Sequence, residues 1–351
     1  MRAPDRRLPL IAVAALILPM TSSADVIDRL RLAEAAAPER LRLRVHAAAL
    51  SHGTLPAPGV ARMRRDMERQ GYYFDGGPPE VIASDVVLAP TLAWDGNING
   101  GVVQDRFVAG GLVFEAAPEV RAVSGAVAGV QGLYRTRLAL NNGQLIELRG
   151  GVELGYAPAV RLGRADTRLG ICLQNHLAGW SFLDICGTKA FYWRDLVEGD
   201  AEQVSLEATQ VLVASASAHQ LGLRVLRVSG EADKQDRVAF SVNSVWTRVA
   251  TQAELTLGED VSGTTSLRYR LEGGVSWLML DRVFSLDLSR QELDGGAFLG
   301  VPRRDEVYEL TLAVDLRTGA ELSLGLVDSR STAAIADYRQ VTLDLRFDSF
   351  R

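Results

Sequence analysis

Tyr308-Glu309-Leu310-Thr311-Leu312-Ala313-Val314-Asp315-Leu316 decides the fold. Tyr308, Leu310, Leu312, Val314 and Leu316 share one parity, and Glu309, Thr311, Ala313 and Asp315 the other. In an extended chain, successive side chains point to opposite faces, so this stretch has one oily face and one wet face. A helix would space its apolar residues by three and four instead. The pattern recurs outward from there. Leu267, Tyr269, Leu271, Val275, Trp277 and Met279 alternate with Arg268, Arg270 and Glu272. Phe284, Leu286 and Leu288 alternate with Ser285, Asp287 and Ser289, and Val341, Leu343, Leu345 and Phe347 with Thr342, Asp344 and Arg346.

Fifteen runs carry this signature: 84–95, 105–115, 120–137, 144–156, 160–174, 181–193, 203–215, 218–230, 237–249, 252–259, 264–280, 283–290, 306–317, 319–328 and 340–347. A single-chain bacterial barrel has an even number of strands, so one run is expected to be a bend or two to merge, leaving about fourteen. That allots roughly 19 residues to each strand with its connection, compatible with spanning strands of ~9–11 residues. A soluble double sheet shows the same alternation with its apolar face turned inward. Three features favour the membrane instead. They are an export signal, charges recurring opposite the apolar face, and aromatic residues near strand ends (Trp94, Phe107, Phe114, Tyr134, Tyr156, Phe191, Tyr192, Trp193, Trp246, Tyr308 and Phe347). Only helices and closed barrels satisfy their backbone hydrogen bonds in hydrocarbon, and no second long apolar run follows the signal. The expected fold is all-β: an antiparallel transmembrane barrel over 80–351 in the outer membrane of a Gram-negative bacterium.

Residues 1–24 (MRAPDRRLPLIAVAALILPMTSSA) read as a cleavable signal peptide: Arg2, Arg6 and Arg7, an apolar run from Leu8 to Met20, then Ser22-Ser23-Ala24. Residues 25–79 read as a short periplasmic helical head and linker. Pro38 suits a first turn, with Leu41, Val45, Ala48 and Ala49 on one side. Pro58 suits another, with Val60, Met63 and Met67 at helical spacing among Arg62, Arg64, Arg65 and Arg69. The break at Asp75-Gly76-Gly77-Pro78-Pro79 ends the head.

The 351 residues carry a net charge of −5 and only two lysines, Lys189 and Lys234, with no basic block, which excludes nucleic acid as an expected partner. Two cysteines and four histidines are too few for a clustered metal framework, and no cofactor or catalytic set is expected. Asp95-Gly96-Asn97-Ile98-Asn99-Gly100 begins like a calcium loop, but the twelfth position is Arg106 rather than a bidentate glutamate. Asn and Gly are also ordinary loop formers, so Asp95, Asn97 and Asn99 are expected to shape a turn. Cys172 and Cys186 flank a connection centred on residue 179 and are expected to form a cross-strand disulfide in the oxidising envelope. Neither His176 nor His219 stands beside an obvious serine with an acidic orienter, so a barrel hydrolase ranks last.

The stretch Val87-Leu88-Ala89-Pro90-Thr91-Leu92-Ala93-Trp94-Asp95-Gly96-Asn97-Ile98-Asn99-Gly100-Gly101 resembles the opening of the barrel in surface lipoprotein assembly modifier proteins. Gly96 departs from that family's serine. The resemblance implies a roughly fourteen-stranded barrel that helps a client lipoprotein reach the cell surface without catalysis. It also implies a periplasmic repeat domain, for which the present head is too short. Expected partners are outer-membrane lipid, the barrel-assembly machinery that reads the final strand, and the client, contacted by Arg62, Arg64, Arg65 and Arg69. The alternative is a passive diffusion channel whose lumen uses Arg268, Arg270, Glu272, Asp287 and Asp315 to set ion preference.

Overall fold

A computed structural model of the chain describes residues 23–347, except 110, 215–216, 231–232, 299 and 317–318. The expected signal segment therefore lies outside the described residues up to position 22, as do residues 348–351 with Phe350.

Three helices open the chain: α1 (Ser23–Ala36), α2 (Glu39–Ser51) and α3 (Ala57–Arg69). β1 (Glu80–Asp95) is followed by the short strands β2 (Arg106–Ala109) and β3 (Leu112–Glu115). Then come β4 (Gly125–Asn141), β5 (Gln144–Ala157), β6 (Leu162–Ala178), β7 (Ser181–Trp193), β8 (Glu198–Ala214), β9 (Ser217–Gly230) and β10 (Lys234–Val245). β11 (Val249–Gly258), β12 (Ser266–Met279), β13 (Arg282–Phe298), β14 (Val301–Asp315), β15 (Ala320–Ser331) and β16 (Tyr338–Phe347) complete it.

β1 and β4 to β16 form one closed antiparallel barrel of fourteen strands, each paired with its sequence neighbour and β1 closing on β16. The extra run among the fifteen is 105–115: its two halves pair only with each other, as β2 and β3, in the connection between β1 and β4. Phe107 and Phe114 stack there at 5.3 Å between ring centroids and take no place in the barrel wall. The barrel strands run to 10–17 residues, most of them longer than the ~9–11 a bilayer requires.

Alternation maps onto the wall as the sequence demands. On β1, Val86, Leu88, Leu92 and Trp94 are exposed outward, Leu88 to 77%, while Ala89, Thr91 and Ala93 are buried inward. Leu310 and Leu312, Leu322, Leu324 and Leu326, and Val341 and Leu343 extend the same exposed belt around the cylinder. Such a belt is unstable in water and stable in hydrocarbon, and the closed ladder leaves no strand edge unpaired. Above it, Arg290, Tyr308, Asp328 and Arg339 pair across β13 to β16, so the strands project past the lipid-facing zone into polar surroundings.

The connections differ between the two ends. At one end the strands turn tightly, as at residues 142–143 and 179–180; at the other the links include the 96–124 excursion. α1 and α2 enter the tight-turn end. Leu30, Ala33, Leu41 and Val45 pack on Phe182, Val211, Ala218, Val245 and Ala250, the inward residues closest to that rim. Leu41, Ala33 and Ala218 are fully buried there. The head thus fills the mouth of the barrel as a plug. Cys172 and Cys186 pair directly across β6 and β7 and are bonded, with a Cα–Cα distance of 4.1 Å.

Candidate functional site in the barrel lumen

The plug is clasped to the wall by charge as well as by apolar packing. Arg40 on α2 makes a bidentate pair with Asp184, both contacts 2.8 Å, and lies over the Phe182 ring. Glu39 accepts from Arg137 Nη2 at 2.6 Å and from Arg135 Nη2 at 3.1 Å. Behind them Glu147, wholly buried, accepts from Arg135 at 2.7 Å, from Arg137, and from Arg149. Three guanidiniums therefore share two carboxylates. Arg42 pairs with Asp66 of α3 at 2.8 Å, and Arg69 with Asp85 of β1, tying the third helix to the others and to the wall. Buried charges of this kind persist only when paired and hydrogen-bonded.

The opposite mouth is narrowed by the chain that follows β1. Ile98 is fully buried against Val127, Ala157 and Leu162, with Val127 and Ala157 inside the wall. Asn99 holds this turn: its Oδ1 accepts from the Val123 backbone at 2.9 Å, and its Nδ2 donates to the Arg121 carbonyl at 2.8 Å. Asn97 Oδ1 accepts from the Gly101 amide at 2.8 Å, and Asp95 pairs with Arg164. These oxygens are occupied by the protein's own donors, which makes Asp95, Asn97 and Asn99 a structural turn. Among the described residues no cluster of three metal-ligating side chains exists. Gly100 sits at φ +72°, and a Cβ there would lie 2.2 Å from Val197, so the turn requires glycine.

Between plug and turn lies a cavity of about 1270 Å³. Pro38, Glu39 and Arg40 form its floor, and Asn97, Gly100 and Val197 stand at its upper end. Its wall on β4 to β6 presents Arg135, Arg137, Arg149 and Arg168. The facing wall presents carboxylates. Asp287, Asp315 and Glu321 line a second space of about 150 Å³ beside Ala35 and Ala36 at the end of α1. Glu309 and Asp344 lie on the same inward parity, paired with Ser289 and Ser323. Neither wall is of one sign: Glu147 and Glu153 stand among the arginines of β4 to β6, and Arg270 pairs with Glu272 on β12.

Of the residues singled out for the lumen, Arg270 and Glu272 form a 2.7 Å ion pair on β12, and Asp287 accepts from Gln252 at 2.7 Å. Asp315 lines the smaller space, whereas Arg268 is drawn to Asp260 in the 259–265 connection, at the mouth. In the head, Arg62 pairs with Glu34 at 3.8 Å, while Arg64 and Arg65 are exposed. The basic wall escaped the sequence reading. Its signal was there: Arg149 and Arg168 follow the inward parity of strands whose pairing can be counted from the 158–161 connection.

His219 does meet serines. Its Nε2 lies 2.8 Å from Ser217 Oγ and its Nδ1 2.8 Å from Ser244 Oγ, with Trp246 edge-on at 5.1 Å. Both serines are almost fully buried and no carboxylate completes the set among the described residues, so the trio satisfies its own hydrogen bonds at the rim. His176 lies 2.9 Å from the Gly179 carbonyl and edge-on to Tyr72.

Among solved structures, the chain is similar to OprB of Pseudomonas putida at 9% identity. That match covers 76% of this chain and 94% of the other, with a TM-score of 0.45. OccK10 (OpdN) of Pseudomonas aeruginosa matches at 9% identity over 75% of this chain and 98% of the other, TM-score 0.42. The KdgM porin, in complex with disordered oligogalacturonate, matches at 12% identity over 54% and 97%, TM-score 0.31. No family model and no curated protein matches the sequence.

Proposed function

We propose that this chain is a non-enzymatic solute channel of the Gram-negative outer membrane whose lumen is stoppered by its own N-terminal helices, with the helical end facing the periplasm. The carrying observation is the cavity of about 1270 Å³ that continues the lumen down to the α2 floor. A wall of charged groups above a removable stopper suits passage of small polar solutes, which exchange water for fixed side-chain partners as they pass. The clasp of Glu39 and Arg40 is where opening begins, because it holds α2 to β4 and β7.

Planar-bilayer conductance tests this. The full chain is expected to show small or brief openings, and the double variant Glu39→Gln, Arg40→Gln large and stable ones. A double variant as silent as the parent refutes a gated channel. Assistance to a client lipoprotein, implied by the resemblance, is the second reading, and the filled floor favours it, because a barrel closed at rest needs no solute flux. It expects silence in both proteins, together with loss of the client from the cell surface when the gene is deleted.

A further inference from the structure

We propose that Arg149, Gly151, Arg168 and Gly170 form a lumenal binding site for small dicarboxylates. This deepens the channel reading by naming a solute class. Arg149 of β5 pairs with Gly170 of β6, and Gly151 pairs with Arg168. The four positions make a rectangle on the inner wall, arginines on one diagonal and glycines on the other. Residues so placed stand roughly 7–8 Å apart. Between the two guanidinium stems the backbone is bare. A Cβ on Gly151 would come 3.3 Å from Leu133 and one on Gly170 3.3 Å from Thr188, so a larger side chain would fill the space an anion would use.

The charge around the rectangle is unbalanced. Arg149 gives its Nε to Glu147, which already serves Arg135 and Arg137, and its side chain remains 55% exposed to the cavity. Arg168 is exposed in the cavity and has no ion pair among the described residues. The nearest candidates to neutralise it are engaged elsewhere: Glu153 by Arg164 at 2.9 Å and Asp166 by Arg194 at 3.0 Å. A guanidinium fork fits a carboxylate through two parallel hydrogen bonds. Two forks set apart by a bare floor call for two carboxylates joined by a short linker. A monocarboxylate reaches one fork only, and a phosphate concentrates its charge at one point. Enclosure between the plug and the upper turn limits screening of the attraction.

Calorimetric titration of the detergent-solubilised full chain with succinate tests the site. Saturable one-to-one binding is expected, weakened at least tenfold by Arg168→Gln, by Arg149→Gln and by Gly170→Leu. Acetate and inorganic phosphate are expected to bind at least tenfold more weakly than succinate, and Lys189→Gln, on the outer face, to change nothing. Arg168→Gln carries the decision, because it removes no ion pair that folding uses, and a heat-modifiability gel confirms its barrel. Absent or unsaturable succinate binding overturns the site, as does binding indifferent to Arg168→Gln, and equal binding of acetate or phosphate overturns its dicarboxylate class. The titration needs no current: succinate binding in a barrel that never conducts refutes the channel and keeps the site, while conduction without binding does the reverse.

Discussion

The two ends of this barrel are narrowed by different physics. At the tight-turn end, two helices bring Leu30, Ala33, Leu41 and Val45 onto five inward wall residues and lock the contact with ion pairs. At the other end a single turn folds in, with one fully buried isoleucine and a pair of asparagine side chains bonded to backbone. The floor is an interface between separate elements; the upper turn is a local hydrogen-bonded structure on one strand's continuation. An interface of the first kind can open as a unit when its clasp is broken, while the second loosens only by losing its internal bonds.

The contrast can be broken hardest at Glu147. Glu147→Ala leaves three guanidiniums around an empty buried position and is expected to cost roughly 3–5 kcal/mol, read as a lower midpoint of heat or urea unfolding of the folded barrel. Leu41→Ala removes a fully buried plug side chain. An expected loss of about 2–5 kcal/mol from floor packing should appear as faster proteolysis of residues 23–69 with the barrel intact. If the whole barrel unfolds with it, the floor is no separate unit.

At the other end, Asn99→Ala strips the Val123 amide and Arg121 carbonyl of their partner, at about 1–3 kcal/mol, and should expose 96–124 to protease while leaving the plug protected. Acid provides the mildest probe. The contact with His46, backed by Arg62, holds the Glu34 carboxyl below its ordinary 4.5. A depressed carboxylate stabilises the folded form above its unfolded value and loses that contribution as pH falls through the folded one. Protection of residues 23–69 should therefore weaken below about pH 4.5, and conductance of the full chain should rise over the same range. Conductance flat through that range would show that the contact between α1 and α2 takes no part in holding the plug closed.

Much of the wall was legible. Period-two alternation in 308–316 and its companions marked the strands and their two faces, because a residue's parity settles its side of the sheet whatever the pairing partner, while the export signal, the recurring charges and the aromatic strand ends chose lipid for the apolar face. Cys172 and Cys186 were legible too, since a hairpin centred near residue 179 sets them opposite each other; a register shift between His176 and Ala178 beside the turn leaves their pairing intact. The 105–115 run misled because a two-stranded hairpin has the same period as a barrel strand, and only closure tells which strands belong to the cylinder. His219 was passed over because Ser244 arrives from the neighbouring strand.

By itself the sequence determined a closed, outward-apolar cylinder with a helical preface, because backbone hydrogen bonding and side-chain parity are local properties repeated many times along the chain. Tertiary structure alone decided that the preface enters the mouth, that Asn99 braces the opposite turn, and that Arg135, Arg137, Arg149 and Arg168 gather on one wall of the cavity. Those outcomes depend on which strands become neighbours around a closed ring and on what the space inside then admits, quantities to which no single segment refers.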